Sequence, residues 1–72
     1  MKNQIEVNGY KFECEVQCSS VHVDLIEEPT EFNQNEYDVA RLEAAGMEAD
    51  LDLDQLYLVE ADSCENIFHI IK

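Results

Sequence analysis

The sequence predicts a small α+β domain: an antiparallel sheet in the order β-β-β-α-β-β with one helix packed on a face. Three observations predict it. Asn8-Gly9 separates two runs in which apolar and polar residues alternate. An amphipathic segment with helix-start signals follows Pro29. Two apolar runs, 56–59 and 67–71, then close the chain. Residues 1–72 form one domain, because a chain of this length buries only about 60–65% of its unfolded surface and supports a thin core.

The first two strands form a hairpin. Asn-Gly is the preferred pair for a two-residue type I′ turn. The register that follows sets Val7 against Tyr10 and Ile5 against Phe12 on one face, and Glu6 against Lys11 on the other. Both faces are self-consistent, which a one-residue slip would destroy. Cys14 and Val16 extend the apolar face. The polar tetrad 17–20 turns the chain into a third strand, in which Val21, Val23 and Leu25 alternate with His22 and Asp24. Matching Val16 with Val21, Cys14 with Val23 and Phe12 with Leu25 places Glu15 opposite His22 and Glu13 opposite Asp24. Two like charges directly opposite repel.

Glu27-Glu28-Pro29-Thr30 ends the strand, since proline cannot donate to a central ladder. Asn33 fits a helix N-cap, Glu36 the acid of a capping box, and Phe32 with Tyr37 a hydrophobic staple. The helix is expected over residues 34–45, with Gly46 ending it in the left-handed conformation. Tyr37, Ala40 and Ala44 share a stripe flanked by Val39 and Leu42, the face expected on the sheet.

From Met47 to Asp54 acids and apolar residues alternate. In an extended chain Glu48, Asp50, Asp52 and Asp54 would form a row about 6.7 Å apart. A short helix capped by Asp52 is the competing reading. The final hairpin is expected to pair Val59 with Phe68 and Tyr57 with Ile70, turning through residues 62–66. Leu58, Ile67 and Ile71 would then make its second face apolar as well.

Seventeen acids against four bases give a net charge of −13. Solubility needs a magnitude of only about 2–8 in a small domain, and excess charge strains a compact state. The sign excludes direct binding to nucleic acid or to an anionic membrane, both of which call for Lys and Arg. It favours a basic protein surface or cations. The polar start Met1-Lys2-Asn3-Gln4 has neither signal-peptide nor membrane-span character. Three cysteines, an odd number, read as reduced thiols in a cytoplasmic protein.

Motifs for chemistry are weak. Asp50-x-Asp52-x-Asp54 opens like an EF-hand calcium loop, but Gln55 stands where glycine is needed and Ala61 where the bidentate Glu belongs. Cys14, Cys18 and His22 are spaced too widely for a zinc knuckle, and the register points Cys14 and His22 to opposite faces. No nucleophile pair, phosphate loop or dinucleotide fingerprint is present. Carboxylate pairs are numerous, yet nothing singles one out in a domain with little room for a cleft. The expectation is therefore a non-enzyme with no cofactor and no metal.

That leaves the acids as the functional signal. Glu13, Glu15, Asp24, Glu48, Asp50, Asp52 and Asp54 are the candidate partner-binding residues. Together they would occupy the Lys/Arg cleft of a nucleic-acid-binding protein and compete with its ligand, as a mimic of DNA or RNA. In charge and size, though by no motif, the chain resembles small phage-encoded inhibitors of host defence, such as anti-CRISPR and anti-restriction proteins, and nuclease immunity proteins. The alternative is a structural or assembly module that homodimerises through residues 56–71 and uses its acids only for solubility.

Overall fold

The computed structural model describes residues 2–71; Met1, part of the polar start, lies outside them. The strands β1 (Asn3–Val7), β2 (Tyr10–Gln17), β3 (Ser20–Glu27), β4 (Leu56–Asp62) and β5 (Glu65–Ile70) form one antiparallel sheet, and α1 (Gln34–Ala49) covers one face. The spatial order is β1-β2-β3-β5-β4. The helical crossover after β3 thus delivers β4 to the far edge, and β5 returns between β4 and β3.

The first three strands pair as their side chains dictate. Val7 meets Tyr10, Ile5 meets Phe12 and Glu6 meets Lys11. Phe12 meets Leu25, Cys14 meets Val23, Val16 meets Val21, Glu15 meets His22 and Glu13 meets Asp24. Asn8 and Gly9 both have positive φ, 51° and 88°, as a type I′ turn requires. Tyr10, Phe12, Cys14, Val21 and Val23 are fully buried beneath the helix with Ala40, Ala44 and Ala45.

The helix begins as expected and is pinned by an unexpected side chain. Asn33 Oδ1 accepts from the Glu36 backbone N–H at 3.0 Å. The N-cap's own N–H, which the capping box would assign to Glu36, donates instead to Tyr10 Oη at 2.9 Å. That hydroxyl donates onward to the Asn33 carbonyl at 3.1 Å. Tyr10, at a turn tip in sequence, is therefore wholly buried, whereas Phe32 is half-exposed. The staple forms, with Phe32 and Tyr37 ring centroids 5.3 Å apart. Val39 faces solvent at 51% exposure rather than the sheet.

The expected stop at Gly46 does not occur. The helix runs on to Ala49, and Asp50 takes the left-handed cap at φ 58°, ψ 50°. Aspartate tolerates that conformation through its short polar side chain. Gly46 serves packing instead: a Cβ there would lie 2.7 Å from Leu53 Cδ2 and 3.1 Å from the Leu51 carbonyl oxygen. The chain folds back across it, and Leu51 N–H donates to the Gly46 carbonyl at 3.0 Å.

A single extended strand from Met47 is likewise overturned. Glu48 is helical, Asp50 is the cap, and Leu53–Gln55 is a single 3₁₀ turn that Asp52 precedes. The Asp52 N–H donates to Gln55 Oε1 at 3.0 Å, closing that turn from outside.

The last hairpin keeps the expected register near its turn and loses it further along. Asp62 meets Glu65, Ala61 meets Asn66 and Glu60 meets Ile67, but Leu58 meets Phe68 and Tyr57 meets His69. The shift falls between Leu58 and Glu60, a β-bulge at Val59. Val59 therefore does not pair with Phe68, nor Tyr57 with Ile70. Leu58 joins the helix side with Phe68, while Ile67 points to the opposite face, so Leu58, Ile67 and Ile71 do not build one apolar surface.

Candidate protein-binding face

The helix covers one side of the sheet, and the other side is open. Period-two alternation sends Glu6, Lys11, Glu13 and Glu15 there from β1 and β2, and His22 and Asp24 from β3. Glu65, Ile67 and His69 arrive from β5, and Tyr57, Glu60 and Asp62 from β4.

Pairing across the strands organises these residues into lateral rows. Glu13 lies opposite Asp24, Asp24 opposite Glu65 and Glu65 opposite Asp62. Four carboxylates thus stand side by side on four adjacent strands, about 4.8 Å apart per step. Gln4 extends the row onto β1. The next row reads Glu15, His22, Ile67, Glu60, and the one beyond it Gln17, Ser20, His69, Tyr57. The open face therefore grades from a carboxylate band to an imidazole and aromatic end. Tyr57 Oη lies 3.3 Å from His69 Nδ1.

Among the described residues, compensation of the row is slight. Lys2 Nζ approaches Asp24 Oδ2 at 4.0 Å, and both groups are substantially solvated. Such a contact in water contributes little. Arg41, the chain's one arginine, is committed to the other side of the sheet, where it pairs with Asp38 at 3.0 Å and lies over the Tyr37 ring at 5.2 Å. Glu15 accepts a hydrogen bond from Gln17 Nε2 at 2.6 Å, the leading cause that holds its carboxyl below the usual range.

The seven sequence candidates fall into two groups. Glu13, Glu15 and Asp24 share the open face. Glu48, Asp50, Asp52 and Asp54 gather at the C-terminal end of α1, in the other layer. Glu48 is tied down there, its two carboxylate oxygens accepting from Asn3 Nδ2 at 3.1 and 3.0 Å. Glu65 was missed altogether, because residues 62–66 read as a turn; its place in the row depends on β5 pairing with β3, which no local pattern announces.

The chain's thiols have separate fates. Cys18 and Cys64 are exposed in turns, and Cys14 is buried. Burial, with added repulsion from Glu48 and Asp24, pushes the Cys14 thiol up to about 12. Since the thiolate is the reactive species, alkylation of the native protein at neutral pH is expected to mark Cys18 and Cys64 and spare Cys14. Peptide mass spectrometry checks this; equal labelling of Cys14 contradicts it. The folded thiol titrates above its ordinary 9.0, so the stability it contributes is intact below about pH 9 and declines as pH rises toward 12.

Among the described residues no group of three His, Cys, Asp or Glu side chains is placed to hold a metal ion. No helix among them is long and apolar enough to cross a membrane. Comparison with protein-family models, with curated proteins and with solved structures found no match.

Proposed function

We propose that the open sheet face docks onto a basic, nucleic-acid-binding protein and inhibits it by standing in for the nucleic acid, in the manner of small anti-CRISPR, anti-restriction or nuclease-immunity inhibitors. The observation that supports this is the row Glu13–Asp24–Glu65–Asp62. A single strand of B-DNA presents one charge per roughly 3.4 Å of axis, and the row presents one per roughly 4.8 Å. That is closer than the 6.7 Å spacing along any one strand. The surrounding rows make the face a two-dimensional field rather than a line. A fold built only for its own stability gains nothing from like charges opposed on three successive strand pairs. A clustered Lys/Arg surface would neutralise all three oppositions at once and draw the two proteins together by long-range attraction. The reading assigns no catalytic residue and no cofactor.

Affinity capture from a nuclease-treated lysate of the native host, eluted by a salt gradient, tests it. Recovery of a nucleic-acid-binding protein that salt releases and DNA or RNA displaces is the expected result. Recovery of the chain alone would end the mimic reading and leave the assembly module, whose self-association should persist in high salt.

A further inference from the structure

A groove of about 410 Å³ opens beside the C-terminal end of α1, on the helix side of the molecule. Part of its lining is apolar: Gly46, Met47, Leu51 and Leu53. The rest is anionic: Glu43, Asp50 and Asp52. Met47 is 63% exposed and Leu53 40%, so the apolar part is open to a visitor.

The electrostatics of this groove run against helix stability. The C-terminal end of a helix carries partial negative charge and favours cations. Here the last turn holds no basic residue, and the cap itself is an aspartate. Carboxylates and thioether surface converge there with no cation among the described residues to offset them.

We propose that this groove receives an arginine side chain of the protein partner. Three features select that occupant. The lining pairs apolar area with negative charge, which matches an aliphatic stem ending in a cation. The acids are not gathered tightly enough to hold a metal ion. They are spread around the groove, and a planar guanidinium with five donors reaches separated acceptors better than a compact ammonium does. The groove and the carboxylate rows lie on opposite layers of the domain, so the partner reaches the groove with an arm or loop that wraps beyond the sheet face.

The proposal rests on the reading that the partner is basic, but its test does not require the partner. The isotope-labelled chain is titrated with the Nα-acetyl methylamide of arginine, and separately with those of lysine and norleucine, while Gly46 amide and Met47 methyl resonances are followed. The expected result is a saturable response to the arginine derivative, at least tenfold weaker for lysine and absent for norleucine. Asp50→Asn with Asp52→Asn should weaken the response at least tenfold, with the fold kept because asparagine accepts both cap conformations. An equal response to norleucine or lysine, a response unaffected by the double variant, or shifts spread evenly over the sheet face would each overturn the proposal. Such a failure beside successful partner capture refutes the groove alone; failed capture beside a groove response refutes the mimic alone.

Discussion

Replacing Asn66 with alanine is expected to lower the unfolding free energy by about 3 kcal/mol. Asn66 is a buried polar residue of the core, 2% exposed, on β5, the strand that ties the edge strand β4 to β3. Its amide is fully used. Nδ2 donates to the Val23 carbonyl at 3.0 Å and to Tyr37 Oη at 2.9 Å. Oδ1 accepts from Arg41 Nη1 at 3.0 Å. One side chain thus binds β5 to β3 and to two successive turns of α1. Alanine leaves the Val23 carbonyl and the Arg41 guanidinium without that partner, and a stranded buried group loses about 1–3 kcal/mol. In a domain this small that is a fall in Tm of roughly 12 °C or more. Asn66→Asp tests the donors: it keeps an acceptor for Arg41 but loses both Nδ2 donors and sets a buried carboxylate oxygen against the Val23 carbonyl, so a loss of about 3 kcal/mol is expected there too. Thermal unfolding followed by circular dichroism measures both, and an alanine variant melting within roughly 2 °C of the parent would show the network to be dispensable.

The second large effect concerns the carboxylate row. A chain carrying Glu13→Gln, Asp24→Asn and Glu65→Gln should be more stable than the parent in low salt, by about 1 kcal/mol, because three like-charge oppositions are relieved. The same chain should associate with the captured partner about 10- to 100-fold more slowly, and its rate should depend less steeply on salt. Stability and binding moving in opposite directions is the signature of charge kept for a partner. A control with Glu28→Gln, Glu31→Gln and Glu36→Gln removes the same net charge away from the row. Stopped-flow association across a salt series compares them; equal slowing in both would mean that overall charge acts and the row does not.

Legibility from sequence followed the range of the interaction. Asn8-Gly9 sets the β1–β2 register, and matching the apolar residues on either side of the 17–20 turn sets that of β2–β3, from Phe12–Leu25 to Val16–Val21. The helix start was equally local, since Asn33 caps a donor three residues on. Its end was not. Ala45 and Ala49 continue the buried stripe at a spacing of four, but alanine is a weak apolar signal, and the alternating acids beyond it imitate a strand. Gly46 then invited a stop, although it is glycine because Leu53 returns over it. The Val59 bulge has no residue signature and moved half a strand by one place. The acidic character of the candidate site was visible from composition, but its geometry was not. The row runs perpendicular to the chain, and the pairs 13–24 and 62–65 join into one row only through β3–β5 pairing.

The bulge at Val59 also governs how the chain tolerates crowding by its own copies. It sits in β4, at the margin of the sheet, where unpaired backbone groups and the half-exposed Tyr57, Leu58 and Val59 would otherwise template strand-by-strand polymerisation. A kinked ladder cannot stack in register, and Glu60 and Asp62 beside it set like charges against any incoming duplicate. A bulged, charged margin is a poorer template for strand addition than a flat, neutral strand of the same apolar content, without a proline or a lysine having to be placed there.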